Sequence, residues 1–238
     1  MQPTFSVIVP AFNEEAYLPR SLGAIRRAEA VLGEPVEIVV GDNQSTDGTA
    51  RVAEEFGARV VPVEKRCISA VRNTAAAAAA GKYLIFTDAD NEVMDDIFVE
   101  IARIFESGRY VGGGVLHAPY ERKSMGLSLT QFVITANLRL CGVSMFLFYL
   151  PAEIFREIGG FDESRLSNED MDFALRLKRH GKARGQKFAS LKKTGVVLSA
   201  RKFDEYGDWA VVRHPILFAK AFLNNPEVTY EIWYRPRR

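Results

Sequence analysis

The chain has 238 residues, and its 31 Lys and Arg side chains balance 30 Asp and Glu, giving a formal net charge of +1. That balance excludes a strong surface field for nucleic acid, so any bound nucleotide would be a small ligand. The length and the hydrophobic fraction of 47% predict a single globular domain over residues 1–238. Two distant cysteines, Cys67 and Cys141, with no signal segment before the first strand, indicate a cytoplasmic protein.

Short runs rich in Val and Ile alternate with amphipathic stretches in the first half of the chain. This alternation predicts an α/β fold, with a mostly parallel central sheet and helices on both faces. The predicted strands cover residues 5–9, 36–40, 59–63 and 83–87. The predicted helices cover residues 14–32, 45–56 and 69–80, and six consecutive alanines favour the last of them.

Polar residues follow three of these predicted strands. Residues 10–14 follow the first strand, Asp42 follows the second, and Asp88 and Asp90 follow the fourth. Because the carboxyl ends of parallel strands meet at one edge of a sheet, we expect these loops to form a nucleotide pocket. The aspartate pair suits Mg²⁺ or Mn²⁺, which prefer hard oxygen ligands, although an isolated pair is also typical of a turn.

The second half is less regular. A strand is predicted to begin at residues 112–114, and the apolar stretch 125–150 predicts a core helix followed by a core strand. Polar residues interrupt that stretch, whereas a membrane span needs about 18 apolar residues, so only peripheral contact with the membrane's cytoplasmic face stays open. Further helices are predicted over residues 151–158 and 167–181.

Five segments occur in the order found in family 2 glycosyltransferases, which this chain resembles. They are VIVPAFNEE (7–15), GDNQSTDGT (41–49), AVRNTAAAAAAGKYLIFTDAD (70–90), GGFDE (159–163) and NEDMDFALRLKRHG (168–181). The resemblance covers about residues 5–181 and implies a GT-A-type, Rossmann-like sandwich. It further implies metal-assisted, inverting transfer of a sugar from a nucleotide-diphosphate donor to an acceptor hydroxyl. Residues 1–110 would bind the donor, and residues 111–238 the acceptor.

The resemblance also implies roles for individual residues. Asp170 would be the general base on the acceptor hydroxyl, and Asp90 would hold Mn²⁺ or Mg²⁺. Asp88 would contact the ribose or the metal, Asp42 the base or ribose, and Arg72 would approach the donor. The other expected donor-site residues are Pro10, Ala11, Phe12, Glu14, Ala89 and Glu169.

Several assignments stay open at this level. Arg176, Arg201 and Lys202 are either phosphate partners or solvated surface charges, the commoner fate of lone basic residues. His214 is positioned late enough to join a metal shell, but a lone histidine is more often structural. UDP is favoured over GDP or dTDP as the donor nucleotide. The acceptor is a saccharide or a lipid-linked molecule. The sequence contains no signal for an oligomeric state. Without a QxxRW motif, a non-processive enzyme is expected.

Two alternatives compete with this interpretation. A sugar nucleotidyltransferase would need a glycine-rich basic loop after the first strand, where this chain has PAFNEE. A catalytically inactive relative would bind a nucleotide without turnover, and the presence of both Asp90 and Asp170 argues against it. Glu169 and Asp170 could also simply complement the dipole of their helix as first-turn acids.

Overall fold

The computed structural model describes residues 3–165 and 167–213. Within these ranges the strands are β1 Phe5–Ala11, β2 Val36–Asp42, β3 Arg59–Pro62, β4 Tyr83–Phe86, β5 Glu92–Val93, β6 Tyr110–His117, β7 Met145–Pro151 and β8 Lys187–Val197. They form one sheet in the order β3-β2-β1-β4-β7-β6-β8-β5.

Helices cover both faces of the sheet. They are α1 Leu18–Leu32, α2 Thr49–Glu55, α3 Ile68–Ala78, α4 Ile97–Glu106, α5 Met125–Cys141, α6 Ala152–Glu157, α7 Glu169–Ala183, α8 Arg201–Tyr206 and α9 Ala210–Arg213. Alternate residues of β1 face opposite sides, as expected for a strand. Val7 and Val9 pack in the core with α1, α2 and α4, whereas Ile8 packs with α3, α6 and α7. The predicted α/β fold with two helical layers is confirmed.

The predicted nucleotide-binding loops follow β1, β2 and β4, and both β2 and β4 run parallel to β1. Ala11 lies opposite Asp42 of β2, and Ile8 lies opposite Phe86 of β4. The carboxyl ends of these three strands therefore meet at one edge. Beyond β4 the sheet is mixed, because β7 runs antiparallel to both β4 and β6, while β8 is parallel to β6.

A cluster of phenylalanines fixes α7 and the preceding loop against the sheet. Phe161 of that loop stacks on Phe173 of α7, with ring centroids 4.0 Å apart and an interplanar angle of 13°. Phe86 of β4 meets Phe161 edge-on at 5.2 Å, and Phe148 of β7 meets Phe173 at 5.1 Å. Such pairs contribute about 0.5–1.5 kcal/mol each beyond area burial. The cluster holds the first turn of α7 at the same edge as β4.

Some element predictions need correction. The helix expected to begin at residue 14 begins at Leu18, after a turn in which Tyr17 N donates to Glu14 O at 3.0 Å. Pro19 lies in the first turn, where its fixed φ suits a helix start. The short strand β5, the helix α4 and the strand β8 were not predicted.

The expectation of a core helix in the stretch 125–150 is correct only in part. β7 is largely buried, but α5 exposes an apolar face to solvent while its other face packs inward. The exposed residues are Met125, Leu129, Phe132, Val133 and Leu140. Because α5 is apolar on both faces, its sequence periodicity does not reveal which face turns outward. Among the described residues, no helix has the length and apolar character needed to cross a bilayer.

The glycine run in β6 lets neighbouring strands approach closely. A Cβ at Gly113 would overlap the carbonyl oxygen of Ala189 in β8, and a Cβ at Gly114 would lie 2.5 Å from Ser144 O. Real Cβ atoms do not approach backbone oxygens so closely, so the strands would have to move apart.

We therefore expect Gly113→Ala to lower the free energy of unfolding by ~2 kcal/mol or more, as overpacking does in rigid cores. Urea unfolding monitored by circular dichroism measures the loss. The control is Gly23→Ala on α1, where the nearest atoms to an added Cβ lie at 3.9 Å. Alanine favours a helix, so this control should not lose stability. Equal tolerance of both changes would contradict the close approach.

Candidate active site

The loops after β1 and β2 are tied to each other by hydrogen bonds. Asn13 N donates to Ser45 Oγ at 2.9 Å, and Thr46 N donates to Asn13 Oδ1 at 2.8 Å. Glu14 N donates to Thr49 Oγ1 at 2.8 Å. These bonds join two segments that are distant in sequence into one rim at the carboxyl edge of the sheet.

The expected nucleotide-binding residues lie along this rim. Pro10 and Ala11 end β1, and Ala11 is the direct neighbour of Asp42. Asp42 Oδ1 accepts a hydrogen bond from Ser45 N at 3.3 Å. The ring of Phe12 lies under the guanidinium of Arg66, 4.7 Å from its carbon to the ring centroid. The structure therefore brings these sequence-predicted residues together.

Arg72 of α3 connects the end of β4 to the first turn of α7. Its Nη2 lies 2.9 Å from Asp88 Oδ1, and its Nη1 lies 2.7 Å from Asp170 Oδ1. Glu169 Oε1 is 3.6 Å from the same Nη1. The side chain of Arg72 is only 6% exposed. Two acids that the sequence separates widely, Asp88 and Asp170, thus share one buried cation.

The charge of Arg72 is stabilised by its surroundings. Burial by itself lowers the pKa of the guanidinium, but the carboxylates of Asp170, Asp88 and Glu169 outweigh burial and raise it above its ordinary value. The guanidinium also lies over the ring of Phe161, at 5.0 Å from the centroid. Arg72 therefore stays cationic between the two sets of acids.

Glu169 has a strongly altered proton affinity. Burial raises the pKa of its carboxyl to about 7, and the charge of Asp170 adds to this effect, while Arg72 opposes it. Glu169 consequently holds its proton up to about neutral pH.

A second cation occupies the other side of the site. Arg201 Nη1 and Nη2 lie 2.7 and 2.6 Å from the two carboxylate oxygens of Glu14. Its Nε lies 2.8 Å from Asp90 Oδ2. The guanidinium covers the ring of Tyr17 at 4.6 Å from the centroid. Of the two readings that the sequence allows for Arg201, the structure excludes a merely solvated surface charge.

Glu14 experiences the neighbouring acids directly. Burial raises the pKa of its carboxyl, Arg201 opposes that effect, and the charges of Asp90 and Asp88 raise the pKa further. The three acids are thus close enough to interact, although they come from two different loops.

The donor set fits a divalent cation. Asp90 and Asp88 offer hard carboxylate oxygens, with side chains 14% and 41% exposed. Mg²⁺ commonly takes one or two carboxylates and completes its shell with phosphate oxygens and water. Within residues 3–165 and 167–213, no group of three or more His, Cys, Asp or Glu side chains is arranged to hold a metal. His214 lies outside the described residues.

The other basic candidates differ from Arg201. Arg176 binds Asp172 through Nε at 2.6 Å and donates through Nη1 to the carbonyl oxygens of Ile158 and Gly160, each at 2.8 Å. These contacts hold the turn that precedes Phe161, so Arg176 has structural partners in place of the phosphate considered from sequence. The side chain of Lys202 lies outside the described structure.

Asn73 is a supporting residue that sequence reasoning missed. Its Nδ2 donates to Phe161 O at 2.9 Å and to Glu163 Oε1 at 3.0 Å, and its Oδ1 accepts from Phe161 N at 2.9 Å. These bonds fix the loop beneath Arg72. Asn73 follows Arg72 directly, but its partners lie about 90 residues away, so local spacing carries no signal of the contact.

A polar hollow of about 500 Å³ borders this loop and is lined by Asn73, Gly159, Phe161, Asp162, Glu163, Asp172 and Arg176. Its lining does not include Asp88, Asp90 or Asp170. The two guanidinium groups of Arg72 and Arg201 instead lie between those acids.

Comparison with known proteins supports the same family as the sequence motifs. The family model of glycosyl transferase family 2 matches residues 6–161. The chain is similar to the uncharacterized glycosyltransferase EpsJ of Bacillus subtilis (strain 168), with 24% identity over 188 residues. The match covers 73% of this chain and 54% of EpsJ, so the chain spans about half the length of that relative.

Solved structures share the fold. Residues 1–349 of S. aureus TarS, solved with UDP-GlcNAc, superpose with a TM-score of 0.65 at 18% identity, covering 97% of this chain and 73% of that chain. Glucosyl-3-phosphoglycerate synthase from Mycobacterium tuberculosis, solved with Mn²⁺, UDP and glucosyl-3-phosphoglycerate, gives 0.60 at 20% identity, covering 92% and 80%. The predicted GT-A-type fold is confirmed.

The raised pKa of Glu169 predicts a pH-dependent stability. In the unfolded chain its pKa is the ordinary 4.5, and in the folded protein it is about 7. The stabilisation from the protonated carboxyl is therefore complete below the unfolded pKa and is lost as pH rises through about 7. We expect Glu169→Gln to melt near the wild-type temperature at pH 5 but a few degrees above it at pH 8.

Thermal unfolding at several pH values between 5 and 8 measures this difference. Glu55→Gln, at an exposed position on α2, tests whether the loss of any carboxylate gives the same trend. A difference between Glu169→Gln and wild type that stays constant across this range would contradict the assignment.

Proposed function

Because this chain belongs to glycosyl transferase family 2, we propose that it transfers a sugar from a nucleotide-diphosphate donor to an acceptor hydroxyl. The observation that carries the proposal is the meeting of Asp88, Asp90 and Asp170 at one sheet edge. UDP is the favoured donor nucleotide, since structural neighbours were solved with UDP and with UDP-GlcNAc.

The donor lies along the rim formed by the loops after β1 and β2. Asp42 contacts the base or ribose beside Pro10, Ala11 and Phe12, and the hydrogen bonds between the loops keep this surface in place. Asp88 follows β4 on the neighbouring strand, within reach of the ribose or the metal. This arrangement is supported by the general location of ligands at the carboxyl ends of strands in open α/β sheets.

Asp90, assisted by Asp88, would hold Mn²⁺ or Mg²⁺. A divalent cation there supplies Lewis-acid stabilisation of the negative charge on the departing diphosphate. Support comes from the hard oxygen donors described above, and from a structural neighbour solved with Mn²⁺ and UDP.

Asp170 serves as the general base. The acceptor hydroxyl oxygen bonds to the anomeric carbon and passes its proton to the Asp170 carboxylate, because a neutral hydroxyl is a poor nucleophile. The bond from the anomeric carbon to the diphosphate oxygen breaks, and the nucleoside diphosphate leaves. Attack from the opposite side inverts the anomeric configuration, in a single, non-processive transfer. Arg72, 2.7 Å from Asp170, orients the base.

Donor binding is tested by thermal shift with nucleoside diphosphates, with and without Mn²⁺. A ligand that binds only the folded state raises its stability. We expect UDP and Mn²⁺ together to raise the melting temperature more than the sum of their separate effects, and Asp90→Asn to abolish the Mn²⁺-dependent part. If no nucleoside diphosphate shifts the melting temperature under either condition, the donor site is wrong.

Turnover is tested by release of UDP from UDP-sugars, with water as acceptor. We expect Asp170→Asn to lower the rate at least about 100-fold, as loss of a general base does, while retaining the UDP shift. Asp95→Asn, with an exposed carboxyl paired to Arg27, is the matched control. Unchanged turnover in Asp170→Asn would remove the base assignment, and binding without any turnover in the wild type would identify an inactive relative.

The exposed face of α5 favours a membrane-proximal acceptor. Its apolar residues are spaced so that they form one stripe, and Phe132 and Leu140 are 69% and 87% exposed. The helix carries no acidic residue, and the exposed Lys123 and Arg139 lie near its two ends. An apolar stripe with cationic ends suits an anionic bilayer surface. Two copies pairing through this face would bring like charges together.

The segment just before the N-terminus of α5 contacts the segment that carries Arg201. Glu121 accepts a hydrogen bond from Ala200 N at 3.0 Å, directly before Arg201, and Arg122 pairs with Asp204 of α8. A bilayer in contact with α5 would therefore lie near Arg201 and the carboxylates that it pairs with. This placement supports a lipid-linked acceptor over a free saccharide.

Vesicle flotation tests this surface. We expect the wild type to float with phosphatidylglycerol vesicles, and the double change Phe132→Glu and Leu140→Glu to leave the protein unbound. Val31→Glu, at an exposed valine on α1, is the control and should float. Wild-type protein that stays at the bottom of the gradient would reject membrane docking, and a change of oligomeric state in the double variant alone would point to a second copy as the occupant.

A further inference from the structure

The carboxylate assigned to the metal already has a cationic partner. Arg201 grips Glu14 through both terminal nitrogens and places Nε 2.8 Å from Asp90 Oδ2. The Asp90 side chain is 14% exposed and that of Arg201 is 21% exposed, so solvent screens the pair weakly. A divalent cation at Asp90 would have to approach this guanidinium closely.

The contact between Arg201 and Asp90 is a charge contact without a formed hydrogen bond. Arg201 Nε is buried, and it has no hydrogen-bond partner in the part of the chain that the structure describes. A buried donor without a partner carries a desolvation cost that a new acceptor relieves. Glu14 thus holds the Arg201 guanidinium in place, while Nε makes a charge contact with Asp90 but no hydrogen bond.

Arg72 provides the contrast within the same site. Its side chain is 6% exposed and is surrounded by carboxylates from the loop after β4 and from the first turn of α7, Asp88 and Asp170 among them. Arg201 instead begins α8, a helix of six residues, and its carboxylate partners come from the loops after β1 and β4. Arg72 is therefore fixed by the core, whereas Arg201 can change partners without disturbing it.

We propose that Arg201 takes the place of the divalent cation at Asp90 when no donor is bound, and moves to the diphosphate of the donor when the cation enters. The inference rests on the proposed function. Guanidinium groups bind phosphate oxygens through paired hydrogen bonds, so the donor offers Arg201 a partner as good as the one that it leaves. Arg201 is a positioning residue that exchanges Asp90 for phosphate.

This exchange couples the two ligands. A cation arriving alone must displace Arg201 and leave it beside a double positive charge, whereas a cation arriving with a diphosphate meets no such repulsion. Each ligand therefore tightens binding of the other, and by thermodynamic reciprocity the two factors are equal. A merely structural arginine would give no such coupling.

The test measures Mn²⁺ binding by electron paramagnetic resonance of free Mn²⁺, with and without UDP. We expect Arg201→Gln to bind Mn²⁺ alone at least about tenfold more tightly than the wild type, and to lose at least about tenfold of the factor by which UDP tightens Mn²⁺, since couplings between sites typically have this size. Arg103→Gln on α4, 67% exposed, removes the same charge far from the acids and should change neither value.

Arg201→Lys is the second variant, and it keeps the fold testable if the glutamine variant melts early. Lysine retains the charge but cannot span Glu14 and Asp90 together, so its Mn²⁺ affinity should fall between the other two. Unchanged or weaker Mn²⁺ binding by Arg201→Gln, while UDP and Mn²⁺ still bind together to the wild type, would overturn the exchange alone. Absence of UDP binding under every condition would overturn the proposed function as well.

Discussion

Neutralisation of crowded carboxylates by two guanidinium groups is the constraint on which the rest of this site depends. Burial raises the pKa of Glu169 and of Glu14, and the charges of neighbouring carboxylates raise both further. Arg72 and Arg201 offset that repulsion, and each guanidinium lies over an aromatic ring. The acids remain together because two cations with planar, hydrogen-bonding heads fill the gaps between them.

The fold divides this task between its two halves. Parallel strands of the first half place acids at their carboxyl ends, and α3, which packs on one face of the sheet, carries Arg72. The second half supplies α7, which is positioned by the phenylalanine cluster, and α8, which brings Arg201 to the mouth. Mixed strand directions beyond β4 do not disturb the site. Some of its acids lie at or just after the carboxyl ends of β1, β2 and β4, which are mutually parallel strands, and the others lie in the first turn of α7.

The sequence predicts the first half of the fold well, since alternation of Val-rich runs with amphipathic stretches is a local signal. Residues that directly follow parallel strands all lie at the edge where those strands end. The sequence therefore also predicts that Asp42, Asp88 and Asp90 meet at one edge of the sheet. The partners of Arg72 and Arg201 are beyond its reach, since Asp170 and Glu14 lie 98 and 187 residues away from them. The outward face of α5 is similarly hidden, because apolar periodicity on both sides of a helix does not distinguish inside from outside.

The ion pair between Glu14 and Arg201 spans 187 residues of chain, and this has a consequence for folding. The entropy lost on closing the intervening chain opposes such a contact until the elements at both of its ends are in place. A half-folded molecule in which α8 is not yet in place, even with its first parallel strands assembled, therefore lacks the cation that neutralises Glu14 and Asp90. The charge balance around Glu14 and Asp90 is thus a property of the complete tertiary structure.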